Sequence, residues 1–431
     1  MPRAAALLLA LALPGLAQAS EFFTLKGHGG PVKGLAVAPD GTIASASFDN
    51  AVGLWQGTAP HWLDDHRAAV NTVAFAGRDR LISAGDDFRV VLWSLPGGTA
   101  TELFQHKGKV MGLAVSTDGT RAASASWDGT IALLDLTSDT PPTLLRGHAS
   151  GVNAVSFAEA GRRLISAGVD GTVRYWDTST GAETRQLLTN GFGVNTLIAT
   201  PDWLAYGAVD GVTRIVDPDT GAALADFTLD RRPILAMAYS PAAQRLAVGD
   251  GEGYIMVLDT QTWRIAGDFR ASLTGPIWAL AFSPDGQNIH AAGLDPTVYS
   301  WPLDTLDDQD PMAAPDRPYL RDPAEMTNGE RQFARKCSIC HSLTPDSARR
   351  AGPSLHGVFG RPAGALPDYS YSRTLIEAGF AWNETTIDKL FDLGPDHFIP
   401  GTKMPMQRIT APQDRADLIA FLRRATSPTG E

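Results

Sequence analysis

Only two cysteines occur in the 431 residues, Cys337 and Cys340, and His341 directly follows the second. In a Cys-x-x-Cys-His unit both thiols can add to the vinyl groups of a porphyrin while the adjoining imidazole ligates its iron. Two other chemistries use such a pair, half of a zinc site and a redox dithiol. Zinc needs four ligands, and no second cysteine pair exists to complete a site. A redox dithiol belongs in a βαβ pattern, and none surrounds this segment. One covalently attached haem c is therefore the expected cofactor. With both thiols spent on it, no disulfide framework remains, and the fold must stand on its own core.

The elements that position this unit are helical. Residues 328–336 lead into Cys337, and a closing helix begins at Thr410 or Pro412. Its apolar face is Leu418, Phe421 and Leu422, and Arg423 and Arg424 fall in its final turn. Through residues 325–426 these features resemble class I cytochrome c. The resemblance implies that Gly329 and Phe333 cross the last helix at Leu418 and Phe421. It also implies that Gly352–Arg361 forms the loop beneath the haem, the Pro353 carbonyl accepting from the ring N–H of His341. The segment Ile399–Met404 matches the one that carries the sixth ligand, so His341 and Met404 are the expected iron ligands. A soft thioether favours Fe(II) and raises the reduction potential. Arg361, Tyr371 and Trp382 align with residues that screen a buried propionate, a carboxylate that is costly to bury without partners. The implied cofactor-binding set is thus Cys337, Cys340, His341, Pro353, Arg361, Tyr371, Trp382 and Met404, with no catalytic residue. His356, His397 and Met406 are the competing ligands weighed against it. Two departures from the family stand out. Asp396 and His397 replace lysines often found near the haem edge, and Leu390 or Phe391 stands where a tyrosine is frequent.

The first three quarters of the chain are periodic. Aligned on an acidic turn residue, seven repeats fall at Asp49, Asp87, Asp128, Asp170, Asp210, Glu252 and Asp295, spaced 38 to 43 residues apart. Six residues after each stands an apolar residue: Trp55, Trp93, Leu134, Trp176, Val216, Leu258 and Trp301. Over roughly residues 22–301 this resembles the WD40 family, which implies a seven-bladed all-β propeller with four strands per blade. The expected fold class is therefore multidomain, an all-β propeller followed by an all-α class I cytochrome c domain. In the first four repeats a His, a Ser and an Asp recur at fixed offsets: His28/Ser45/Asp49, His66/Ser83/Asp87, His106/Ser124/Asp128 and His148/Ser166/Asp170. Four copies mark a buried hydrogen-bonded fold device rather than four catalytic triads. The last three repeats lack the His and Ser, so apolar packing is expected to hold those blades. Residues 22–25 are expected to complete the seventh blade and remove an exposed edge.

The expected domains are a signal peptide at 1–19, the propeller at 20–301, a Pro/Asp-rich linker at 302–323, the cytochrome domain at 324–426 and a tail at 427–431. Arg3, the apolar run from Ala4 to Leu16 and the small-x-small site Ala17-Gln18-Ala19 read as a secretory signal cut after Ala19. The apolar run is too short to span a bilayer, so no transmembrane segment is expected in the mature chain. Residues 317–431 hold 15 Lys/Arg against 13 Asp/Glu, a balance of +2. The remainder holds 21 against 34, or −13. An acidic front part argues against nucleic acid or an anionic membrane as partner. The function expected is an exported, periplasmic carrier of single electrons, with the question of an enzymatic role left open. Its propeller is expected to dock periplasmic redox proteins, with the haem edge as a second contact. The competing expectation is a periplasmic oxidoreductase whose propeller binds a substrate or second cofactor, for which His61 and His290 are the histidines outside the repeat pattern.

Overall fold

The computed structural model describes residues 21–228, 233–273, 275–308, 322–345 and 350–427. The expected signal peptide lies outside the described residues. Among the described residues no helix is long and apolar enough to cross a membrane.

Residues 21–302 form seven four-stranded antiparallel sheets arranged as blades. Blade 1 shows how the sequence builds each one. Val32–Val37 lines the channel, Ile43–Ser47 is buried throughout, Val52–Gln56 follows it, and Ala59–Leu63 is the half-exposed outer strand. The second strand runs between two neighbouring blades, so both of its faces are apolar or small, and alternation is lost. Trp55, Trp93, Trp176 and Trp301 are among the largest fully buried side chains. Phe23–Leu25 pairs with Val298–Pro302 as the outermost strand of blade 7, with Leu25 opposite Val298. The ring therefore closes by joining the two ends of the propeller segment.

The recurring His, Ser and Asp are one hydrogen-bonded chain per blade. In blade 1 His28 Nδ1 lies 2.9 Å from Asp49 and its Nε2 2.7 Å from Ser45 Oγ, which also accepts the Trp55 indole N–H at 2.7 Å. Blades 2 and 4 repeat this with Trp93 and Trp176, and blade 3 keeps the His106 bonds without a tryptophan. All four serines are wholly buried, so none is a nucleophile open to substrate. Each aspartate also accepts a loop amide, at 2.8–2.9 Å, so the chain pins loop to turn.

The last three blades do not rely on apolar packing alone, contrary to the expectation from their missing His and Ser. In blade 5 the Tyr206 hydroxyl donates to Asn190 at 3.3 Å, and Arg214 bridges Asn190 and Asp226 at 3.0 and 2.9 Å. In blade 6 Asp250 accepts the amides of Glu252 and Tyr254 at 2.9 Å each. In blade 7 the Tyr299 hydroxyl donates to Asp295 at 2.7 Å. A buried acid still requires donors: Asp250 takes them from its own turn and Asp295 from Tyr299 on the following strand, where blades 1–4 use a loop histidine.

Blade 7 leaves one donor over. The Trp301 indole N–H has no partner among the described residues. Ile289 opposes Trp301 as Ile43 opposes Trp55, which puts Ala291 where blade 1 has Ser45. Ala291→Ser is therefore expected to stabilise the protein by about 1 kcal/mol by giving that N–H an acceptor. A lower melting temperature for the variant would show that the site has no room for a hydroxyl.

His290, beside Phe23 at a ring distance of 5.8 Å, is buried with no partner for its Nδ1 among the described residues. Burial lowers it to about 4, against the opposing pull of Asp285. An unfolded histidine titrates near 6.5, so on acidification the unfolded chain takes up this proton first. The resulting stability is fully present above about pH 6.5 and is lost as pH falls towards about 4, on the order of 3 kcal/mol in all. Urea midpoints across that window are expected to fall less steeply in His290→Leu. Parallel slopes would remove His290 as the cause.

Every channel strand carries an irregularity at its second residue, at Lys33, Asn71, Met111, Asn153, Asn195, Leu235 and Trp278. The extra residue frees its side chain to reach sideways. Asn71, Asn153 and Asn195 use this to donate to carbonyls of the next blade, Val110, Val194 and Ile234, at 2.9–3.0 Å.

The expected linker is shorter than its sequence suggested. Pro302 ends the last strand, and Leu303–Asp308 forms a 3₁₀ turn whose Leu306 is buried in the core of the last two blades. The second domain holds α1 (Asn328–Lys336), α2 (Arg373–Ile376), α3 (Glu384–Leu393), α4 (Pro395–Phe398) and α5 (Pro412–Ala425). Thr327 caps α1 and an Asn383/Thr386 capping box starts α3. At the α1–α5 crossing a Cβ on Gly329 would sit 2.1 Å from the Asp417 carbonyl oxygen, so only glycine allows the approach. Phe333 and Phe421 meet there at 5.6 Å between ring centroids.

Candidate haem site

Helix α1 ends at Lys336, and the next turn presents Cys337, Cys340 and His341. The amides of Cys340 and His341 bond back to the Cys337 carbonyl at 3.1 and 2.9 Å, which coils the attachment unit into a compact turn. Burial pushes the Cys337 thiol up to about 12 and Cys340 up to about 11. Reactive dithiols have their thiolates stabilised, so this environment is the reverse of a redox pair's.

His341 Nδ1 lies 2.8 Å from the Pro353 carbonyl oxygen. A carbonyl only accepts, so Nδ1 carries the proton and Nε2 keeps its lone pair for a metal. Burial lowers the His341 pKa, with the Pro353 contact opposing, and so favours the neutral, ligating form. Gly352 backs the ring. A Cβ there would come within 2.4 Å of His341 Cε1, so the imidazole is wedged against bare backbone.

All eight residues of the expected set, Cys337, Cys340, His341, Pro353, Arg361, Tyr371, Trp382 and Met404, line one cavity of about 340 Å³. They come from the α1 turn, the loop after it, the segments flanking α2 and the loop after α4. The competing ligands stand apart from it. The His356 ring does not line the cavity, its backbone carbonyl accepting instead from Arg361 at 3.0 Å. His397 is exposed beside Asp396, and Met406 is half exposed against Gly394. Leu390 and Phe391 are buried in the cavity wall, so apolar side chains occupy the positions where the family frequently has a tyrosine.

The residues suit a haem. Cys337 and Cys340 would hold it covalently, and the His341 imidazole and the Met404 thioether would ligate its iron, with Leu355, Val358 and Ile399 as apolar wall. Arg361 is half-buried, and that burial depresses its pKa against the opposing pull of Tyr371 and Asp368; a buried propionate would need such a cation beside it. Its guanidinium is aimed by the His356 and Ser354 carbonyls. When bound, haem supplies one-electron Fe(III)/Fe(II) exchange. The chain's own residues would hold the ring, and the Pro353 carbonyl fixes the imidazole tautomer. Sequence reasoning missed Tyr369, which lines the cavity, donates to the Ala351 carbonyl and stacks edge-on with Tyr371 at 4.8 Å. Its nearness to Tyr371 in the chain was the available signal.

The two histidines named for a second centre are far from forming one. His290 is buried inside blade 7, and His61 lies exposed on the outer strand of blade 1.

The fold and this site define a propeller-fused c-type cytochrome. The family model "Cytochrome c" matches residues 326–426, and "WD domain, G-beta repeat" matches 20–56, 57–94, 98–135, 139–177 and 266–302. The chain is similar to cytochrome c of Sesamum indicum, 42% identical over 107 residues, 24% of this chain and 94% of that protein. Similar relations hold to cytochrome c of Ginkgo biloba, 39% identical over 105 residues (24% and 92%), and of Gossypium barbadense, 41% over 107 residues (24% and 94%). The chain therefore belongs to the cytochrome c family through its C-terminal domain, and seven WD40 blades precede that domain. It is an electron-carrying haem protein with one covalently attached haem c.

Proposed function

We propose that the protein is an exported, periplasmic single-electron carrier whose propeller serves as a docking platform for redox proteins. The observation that carries this reading is the convergence of both thiols, His341 and Met404 on one cavity. With His341 and Met404 as the residues that would hold the iron, no position would remain for a substrate, and the chemistry would be electron exchange without rearrangement of ligands. Export is supported by the sequence of residues 1–19 and by the need to attach haem c outside the bacterial cytoplasm. Docking is supported by one face of the propeller. The residue before the acidic turn is Trp127 in blade 3, Val169 in blade 4 and Val209 in blade 5, each about half exposed. Apolar side chains gathered on a rigid, exposed face are the usual core of a protein interface.

Protein purified from a periplasmic fraction is expected to begin at Ser20, to show only c-type absorption bands and to titrate as a single one-electron centre. Extra bands or a second bound metal would shift the assignment to the oxidoreductase alternative. A mature chain that retained residues 1–19 would remove export.

A further inference from the structure

The haem cavity is not closed by the helical domain alone. Phe48, Asn50, Ala68, Ala69, Asp86 and Lys109, from the turns at one face of blades 1–3, also line it. We propose that this face is a built-in seat for the cytochrome domain, covering the rim of the haem pocket so that the domain must lift away before another protein reaches the haem edge. The inference rests on the reading of the cavity as a haem site.

The seat is preformed. Phe48 stacks on Trp278 at 5.6 Å and 26°, with the Lys33 ammonium 5.0 Å from the same indole. Asp86 is held by Asn71 at 2.8 Å and by Lys109. The turns bearing Phe48 and Asp86 are anchored by the neighbouring Asp49 and Asp87 of the hydrogen-bonded chains. A surface fixed in advance loses little entropy when covered. Charge favours the pairing, since the acidic front part faces a slightly basic domain. Arg335 and Lys336 line the same cavity as Asp86, while at Lys403 the pull of Asp65 is outweighed by the push of Arg67. Such complementarity steers and orients more than it locks. Both parts belong to one chain, separated by only the thirteen positions 309–321, so their effective concentration is roughly millimolar. A weak, reversible contact is then enough to keep the seat filled. The exposed Trp127, Val169 and Val209 lie at equivalent turns of the adjoining blades, so an incoming protein meets the propeller beside the covered rim.

The test uses the full haem-loaded chain, the variant Ala68→Arg, and a chain cut at a protease site inserted between Gln309 and Arg321. Hydrogen exchange of amides 48–50 and 67–69 and small-angle scattering report the contact directly. The rate at which Cu(I) azurin passes one electron to the ferric protein, giving Cu(II) and Fe(II), reports its consequence. Wild type is expected to be compact with protected amides, and both altered chains to expand and lose that protection. Azurin is expected to react about tenfold faster with them, as for a face closed nine-tenths of the time. Asp86→Lys, which turns the charge of the seat against Arg335 and Lys336, replaces Ala68→Arg if that variant fails to fold. Equal exchange, equal size and equal azurin rates in all chains would overturn the proposal. Absence of c-type bands in wild type would instead remove the haem reading, and exchange and scattering would still decide whether the two parts dock.

Discussion

Replacing Met404 with alanine is expected to abolish the sulfur-to-iron charge-transfer band of the ferric protein and to lower its reduction potential by ~0.1–0.3 V, a sizeable part of the roughly 0.8 V that axial ligation spans. The chain offers no ready substitute. Met404 lines the cavity, and the Met404 amide donates to Thr402 Oγ1 at 3.3 Å, which fixes the register after Pro400-Gly401. Gly401 adopts φ +79°, a left-handed conformation suited to glycine, so the turn is set by its sequence. Met406, two residues on, packs its sulfur against Gly394 outside the pocket, and sliding it inward would undo that turn. His356 is held by its place in the Ser354–Arg361 loop. Loss of the weak thioether donor removes the preference for Fe(II), so the potential falls rather than rises. An unchanged ferric spectrum and potential in this variant would show that another atom holds the sixth position.

Ser166→Ala is the change expected to cost the propeller most, about 2–5 kcal/mol, because one hydroxyl serves two buried partners. Ser166 Oγ accepts from Trp176 Nε1 at 2.8 Å and lies 2.7 Å from His148 Nε2. Removing it strands a buried indole N–H and a buried imidazole nitrogen together, since neither can reach water. His148 in turn orients Asp170, which accepts the amides of Ala149 and Thr172 at 2.9 and 3.1 Å. The loop and the turn of blade 4 therefore lose their common anchor. Calorimetry should show a fall of about 5–15 °C in the propeller transition. The haem spectrum should not change, since blade 4 contributes nothing to the cavity lining. A fall under about 1 kcal/mol would mean the chain is incidental to stability. Blade 7 is the natural counterpart, where Ala291 leaves Trp301 without an acceptor and Tyr299 serves Asp295 instead.

Legibility followed the range of the interactions. The attachment unit, the acidic turns and the tryptophan six residues beyond them were readable because each is a local pattern with a fixed offset. The closure of the ring by residues 22–25 was readable because an apolar strand stood unpaired at one end and a blade lacked its fourth strand at the other. The polar networks of blades 5–7 were not. Tyr206, Asn190 and Arg214 meet across three segments at offsets that no other blade repeats, so periodicity carried no sign of them. The sequence likewise presented 302–323 as one tether, whereas Leu306 is drawn into the blade core because an apolar site lay within reach.

What the amino-acid order determined by itself was the chemistry on offer: two thiols, an imidazole, a thioether, and seven copies of a strand-turn unit. Those follow from covalent neighbours, which no fold can rearrange. The tertiary structure alone decided which groups face one another. It brought Met404 rather than Met406 into the pocket, pressed His341 against Gly352, and set the turns of three blades at the cavity rim. Such choices depend on packing between segments from about ten to several hundred residues apart, where a few ångströms of backbone position separate a wall from a contact.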